Sequence, residues 1–149
     1  MLLLNNMNKV LATTYTLALK TQQFHWNVMG PDFAQFHEFF GNMYEEIYGA
    51  VDQIAETIRT LGAFSPGSLQ EFLSDALITD EESAALGALV MVQLLIDDNE
   101  IMIHVLKTAY ESAELEQEYD VSNFLAERLA AHKKHAWMLH SILGQQRTP

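Results

Sequence analysis

The sequence predicts an all-α protein, a four-helix bundle with a short helix in its long middle connection. Three observations carry that expectation. Prolines stand only at positions 31, 66 and 149, so long segments are free of helix breakers. Within those segments apolar residues recur every three or four positions, the period of one helix face. No stretch alternates apolar and polar residues as a half-buried strand would, and no repeat or low-complexity run competes. With 149 residues, 49% of them hydrophobic, the chain suits a single domain over 1–149 with a sizeable core.

The first helix is expected from about Leu3 to Val28, stopped by Gly30-Pro31. The second is expected from about Phe33 to Leu61, with a stripe of Phe36, Phe40, Met43/Tyr44, Ile47, Val51, Ile54, Ile58 and Leu61. Gly62 ends it, and Ser65-Pro66-Gly67 makes a turn. Residues 68–76 suit a short helix, with Ser68 as N-cap and Glu71 completing a capping box. Thr79-Asp80-Glu81-Glu82 places negative charge where a helix N-terminus favours it, so the third long helix is expected from about Glu81 to at least Tyr110. Its first part, Ala84 to Ile96, is apolar nearly all round and is expected to be well buried. The acidic segment Glu111 to Asp120 is expected to hold the next connection. The fourth helix is expected from about Val121 to Leu143, with a stripe of Leu125, Leu129, His132, Ala136, Leu139 and Leu143.

Composition narrows the chemistry. There is no cysteine, so any metal site must use His, Asp, Glu or water. The formal charge is −12, with only eight Lys and Arg, which argues against a large nucleic-acid footprint and for attraction of cations. Met1-Leu2-Leu3-Leu4 is interrupted at once by Asn5, Asn6 and Asn8, unlike a secretory leader, and no segment reaches the ~18 apolar residues of a membrane span. A cytoplasmic protein is the expectation.

The stretch FHWNVMGP sets a histidine between two aromatics just before the first break. The candidate metal ligands are His25, His37, Asp52 and Glu56. Asp52 and Glu56 are one turn apart on the second helix, so their carboxylates lie about 5–6 Å apart on one face. At about 100° per residue, that face points well away from the apolar stripe and also carries Gly41, Tyr48 and Ala55, which suits a subunit contact. His25 and His37 flank a short turn at similar distances and should come to one height. Asp52 is about 22 Å further along the axis, from the 1.5 Å rise per residue. One chain cannot bring all four to one metal, but two chains with antiparallel second helices across a two-fold axis can. Imidazole and carboxylate in an open site suit iron, with zinc or manganese as competitors. Trp26 and Tyr44 would be near-site aromatics able to be oxidised, or simply core.

These residues also carry a resemblance. KTQQFHWNVMGPDFAQFH (Lys20 to His37), followed by YEEIYGAVDQIAETIRTLG (Tyr44 to Gly62), closely resembles the Dps proteins, ferritin-like proteins named for binding DNA in starved cells. ERLAAHKKHAWMLHSIL (Glu127 to Leu143) is similar to that family's last helix. The resemblance implies a ferritin-like bundle assembled as a dodecamer, a hollow homo-oligomeric shell. It implies Fe(II) oxidation, preferentially with hydrogen peroxide, storage of ferric mineral and protection against oxidative damage. It implies that His25, His37, Asp52 and Glu56 are the iron ligands, shared between two-fold related subunits, and that Trp26 is the aromatic beside them. Zinc is a possible substitute for iron.

There are departures from the family pattern. Many members carry an acid four residues after the second histidine, for a second iron. Here that residue is Gly41, which leaves Glu38, Glu45 or water to substitute. Lys9 is the only basic residue among 1–19, and Arg147 the only one in QQRTP, so DNA binding through a tail is not expected. The run Glu114, Glu116, Glu118 and Asp120 is either a solvated connection or part of an iron-drawing pore, with Asn123 near where an acid is common. His132-Lys133-Lys134-His135 lacks a neighbouring helix acid of the metalloprotease type, His132 sits on the apolar stripe, and the lysine pair reads as surface charge. His104 and His140 are assigned no role. A conventional intra-bundle di-iron site would need Glu-x-x-His pairs, and Glu100 to His104 is one residue too long. The alternative function is a DNA-protecting structural shell with a weak or vestigial ferroxidase site.

Overall fold

Six helices in chain order build the fold, in a computed structural model that describes residues 1–148. They are α1 (Leu2–Asn27), α2 (Phe33–Gly49), α3 (Val51–Thr60), α4 (Leu69–Asp75), α5 (Ala88–Glu116) and α6 (Tyr119–Ile142). The described residues contain no strand. The helices α1 and α2 pack side by side across the Gly30-Pro31 turn, α5 and α6 form the other closely packed pair, and α1 also lies against α5. Gly30 takes φ 123°, a conformation that glycine adopts without a β-carbon penalty, and Phe33 N–H bonds the Gly30 carbonyl to close the turn.

The expected stripe of the second helix is the buried one. Phe40, Met43, Ile47, Ile54 and Ile58 are almost wholly buried, beside Leu3, Met7, Leu11, Leu17 and Phe24 from α1. Each such side chain contributes about 1.5–3 kcal/mol of burial free energy. The single expected helix from Phe33 to Leu61 is interrupted at one residue, Ala50, after Gly49. Ala50 N–H bonds Ile47 at i−3, and Ile54 N–H returns to the regular i−4 pattern on Ala50. Glycine at that point weakens the helix locally, while the apolar stripe continues through the interruption.

The short helix α4 has the expected capping box. Glu71 N–H donates to Ser68 Oγ at 3.2 Å, and the Glu71 carboxylate accepts from the Ser68 N–H at 3.0 Å. Phe72 plugs it onto Tyr15 of α1.

The third long helix starts later than Glu81. Residues 77–87 run without helix, and α5 opens at Ala88 with Gly87 as an extended N-cap (φ −69°, ψ 152°). Two local bonds explain the difference. Lys20 Nζ donates to the Thr79 carbonyl at 2.9 Å, and Glu81 accepts from the Ser83 N–H at 2.9 Å, a turn that competes with helix. The apolar run is not buried all round either. Ala84, Ala85, Leu89 and Val90 are exposed, whereas Met91, Val92, Leu95 and Ile96 are in the core.

The third helix then runs through most of the acidic segment, and only Gln117-Glu118 separates α5 from α6. Gln117 turns the chain in the left-handed region, φ 63° and ψ 30°, and Glu118 N–H reaches back to the Ala113 carbonyl. Glu116 is engaged within the fold, accepting from the Leu3 N–H, one of the unpaired donors in the first turn of α1. Between α1 and α5, Lys20 pairs with Asp98 at 2.7 Å, both nearly buried. Burial pushes the Asp98 carboxyl up, against the opposing hydrogen bond and charge of Lys20.

Across the bundle, α2 and α6 stand further apart and a polar network spans the gap. Arg128 donates two hydrogen bonds to Glu46, at 2.6 and 3.0 Å, and His135 Nε2 lies 2.8 Å from Glu46 Oε1. His132, wholly buried, meets Arg128 Nη2 through Nε2 at 3.3 Å and Asn99 Oδ1 through Nδ1 at 2.8 Å. His132 was placed on the apolar stripe by its spacing and is indeed buried there, as a hydrogen-bonded group.

Candidate metal centre

The last turn of α1 and the first turns of α2 hold His25 and His37 face to face. Their ring centroids are 3.9 Å apart and their planes 12° from parallel. Each ring bonds the backbone of the other residue: His25 Nδ1 to the His37 carbonyl at 2.6 Å, and His37 Nδ1 to the His25 carbonyl at 2.7 Å. A carbonyl only accepts, so both Nδ1 atoms must carry hydrogen and donate. In the neutral rings both Nε2 atoms then keep a lone pair, the tautomer a metal ligand needs.

Neighbouring side chains hold this pair in place. Phe33, one turn before His37, stacks on its ring at 5.1 Å, and Tyr44 stands against His25 at 5.5 Å. Gly41 is buried under His25: a β-carbon there would lie 2.9 Å from Cε1 and 3.0 Å from Nδ1. Gly41 thus lets the His25 ring lie directly on α2. Sequence reasoning treated Phe33 only as a helix start, and Gly41 as a missing acid and as part of an open contact face with Tyr48 and Ala55; Gly41 is instead buried against the His25 ring of its own chain. The four-residue spacings Phe33 to His37 and His37 to Gly41 were the available signal, since such residues share a helix face. Trp26 is 59% exposed, so it is not core in the single chain.

The carboxylates lie elsewhere. Asp52 is in the first turn of α3 and Glu56 one turn on, both exposed, with Tyr48 exposed nearby in sequence. The single chain therefore sorts the four residues into two pairs, and among the described residues no group of three or more His, Asp or Glu is placed to hold a metal ion. What the arrangement offers chemically is two imidazole nitrogen donors preset by backbone bonds at one place, and two anionic oxygen donors on an open helix face at another.

This fold, with its metal-type donors on neighbouring helices, is that of a ferritin-like protein. The ferritin-like domain family matches residues 4–148, and the chain belongs to it. Within that family it is of the Dps type. It is 34% identical to the DNA protection during starvation protein 2 of Bacillus anthracis, over 93% of this chain and 94% of that one. A crystal structure of a Dps protein from Bacillus brevis superposes with a TM-score of 0.91 at 30% identity, covering 95% of each chain. A Dps protein from Vibrio cholerae, described as a member of a broad superfamily of ferritin-like diiron-carboxylate proteins, superposes at 0.90 with 27% identity over 95% of this chain and 88% of that one. Among the described residues, no helix is long and apolar enough to cross a membrane.

Proposed function

We propose that the protein is a ferroxidase and iron store, one ferritin-like domain per chain, working as a hollow cytoplasmic homo-oligomer of twelve copies. The observation that carries this reading is the reciprocal His25–His37 lock, which presets both Nε2 atoms as donors. The matching acids, Asp52 and Glu56, come from a second copy across a two-fold axis, because their own chain carries Asp52 about 22 Å from His37 along the helix and Glu56 a turn further. A two-fold contact repeats itself, so each pair of chains makes two such sites. Kinship with DNA protection during starvation proteins and with a diiron-carboxylate structure supports the reading.

Iron is the substrate. The charge of −12 raises the local concentration of Fe(II). His25 and His37 suit Fe(II), and the Asp52 and Glu56 carboxylates supply negative charge that favours Fe(III). Hydrogen peroxide takes one electron from each of two Fe(II). Its O–O bond breaks, two protons are taken up and two waters leave, so no hydroxyl radical is released. Protection of DNA on this reading comes from removing iron and peroxide. Gly41 favours one iron fully held by protein, with the second completed by Glu38, Glu45 or water. The alternative, a structural shell with a vestigial site, rests on the same glycine. Zinc can occupy the same donors as an inert competitor.

The test is anaerobic Fe(II) titration of the purified protein, followed by peroxide or air, with Asp52→Ala/Glu56→Ala alongside. Fast peroxide-driven oxidation that falls to the buffer rate in the variant is expected; oxidation no faster than buffer in the unmodified protein sinks the reading. Sharing between chains has its own test. Chains carrying His25→Ala/His37→Ala are co-assembled with Asp52→Ala/Glu56→Ala chains. Random pairing restores about a quarter of the sites if they are shared across a two-fold axis, and none if each lies within one chain.

A further inference from the structure

We infer that Arg128 is a resident cation standing where a metal would sit among Glu46, His132 and His135, between α2 and α6, and so keeps divalent metal from gathering them. This does not depend on the surface pairs. The Arg128 guanidinium is where a metal would meet its donors: both Glu46 oxygens lie on it, at 2.6 and 3.0 Å, and His132 Nε2 is 3.3 Å away. His135 Nε2 reaches the same Glu46 Oε1 at 2.8 Å. One carboxylate and two imidazoles are the ligand types of an open zinc-type site, but with Arg128 among them they are not placed to hold a metal ion, and His135 Nε2 spends its proton on Glu46.

The surroundings are also those of a metal site. Asn99 Oδ1 accepts from His132 Nδ1–H, and Asn99 Nδ2 donates to the His132 carbonyl at 2.8 Å. That fixes the tautomer with the Nε2 lone pair facing Arg128, as partners behind a ligating histidine do. Burial, reinforced by the Arg128 charge, lowers the His132 pKa well below its usual value and keeps the ring a neutral donor. His135 is 95% buried with its Nδ1 unpartnered, and it lines a cavity of about 420 Å³ with Met43, Met138 and Lys134 that gives a route from the surface. The guanidinium is tethered to α6 and bonds both Glu46 oxygens, so it neutralises Glu46 without dissociating as a water or a free ion would. A histidine pair and a carboxylate gathered between α2 and α6 would otherwise compete for iron with any other site.

The experiment adds Arg128→Ala to full-length, assembled Asp52→Ala/Glu56→Ala protein and titrates Co(II), reading visible ligand-field bands and thermal midpoint. The gain over the parent is what is read, so the outcome is independent of whether the surface residues bind iron. Expected are one extra Co(II) per chain and a midpoint rise of about 5–10 °C at metal 100-fold above its dissociation constant. A further His132→Ala change should abolish both. Arg128→Ala chains that fold but take up no more Co(II) than the parent overturn the proposal, as does a His132-dependent Co(II) signal already in the parent. Arg128→Met, which keeps most of the side-chain volume, is run in parallel. If neither variant folds with Co(II) present, the proposal also fails, because a metal held there would replace the lost positive charge.

Discussion

Replacing Gly41 by alanine tests the histidine lock at its tightest contact. The new β-carbon would sit 2.9 Å from His25 Cε1 and 3.0 Å from Nδ1, well inside ordinary van der Waals contact. The ring has little room to yield, because Nδ1 is tied to the His37 carbonyl at 2.6 Å and the ring face is stacked at 3.9 Å. Stretching or losing that hydrogen bond costs about 1 kcal/mol, and forcing a methyl into a filled space costs about 1–3 kcal/mol. Alanine recovers about 1 kcal/mol of helix propensity. The net expectation is a loss of about 1–3 kcal/mol, or about 2–4 °C in Tm per kcal/mol for a chain of this length. Gly49→Ala is the reference: its β-carbon meets nothing within 4 Å, so it should show only the propensity gain. The larger effect is on metal. Disturbing the partner that orients a ligating histidine costs about 10–100-fold in affinity. Calorimetric titration with Zn(II), a redox-inert stand-in for Fe(II), measures that loss, and long-range ¹H–¹⁵N NMR reads the His25 tautomer. Unchanged Zn(II) affinity in Gly41→Ala, with the Nδ1–H tautomer of His25 intact, would refute the view that Gly41 exists to seat this ring.

Three further predictions concern stability. Below about pH 6.5 the unfolded chain protonates His132 while the fold holds the ring neutral, so stability falls with pH by about 1.4 kcal/mol per unit. Thermal midpoints from pH 7.5 to 5.0 should show that slope in the parent and a flatter one in His132→Gln; equal slopes would remove the ring as its cause. Glu46 acts at lower pH. Burial works against its ionisation, but hydrogen bonds from His135 and Arg128 hold its carboxyl below the usual carboxylate range, so its stabilisation is present above about pH 4.5 and lost as pH falls further. At the α5–α6 corner, Gln117→Gly removes a β-carbon from the left-handed region and should raise stability by about 0.5–1 kcal/mol, read as a higher Tm.

How much of this was legible in advance differs by element. The Ser68–Glu71 capping box, the Gly30-Pro31 stop and the stripe from Phe36 to Ile58 all depend on residues within a turn or two of each other, and each stands as its spacing indicated. The start of the third long helix did not follow, because the Thr79 carbonyl, which a helix would bond to the Ser83 N–H, accepts instead from Lys20, fifty-nine residues earlier in the chain, while that N–H turns to Glu81. Helix-dipole reasoning sees the charges but not that distant donor. The extent of α5 was likewise misjudged: acidity at Glu111 to Asp120 signals exposure, and an exposed helix face is as acidic as a connection.

The sequence by itself determined the helical class, the order of its long elements and the pairing in height of His25 with His37, since all three follow from periodicity and from one short turn. It also determined that Asp52 and Glu56 lie far from that pair within one chain, because rise per residue is a property of the backbone. The tertiary structure decided what each histidine is bonded to. The His25–His37 carbonyl exchange, the space at Gly41 and the gathering of Glu46, Asn99, Arg128, His132 and His135 join residues from different helices. Their partners are set by how helix faces meet across the core, and no spacing along one helix encodes that meeting.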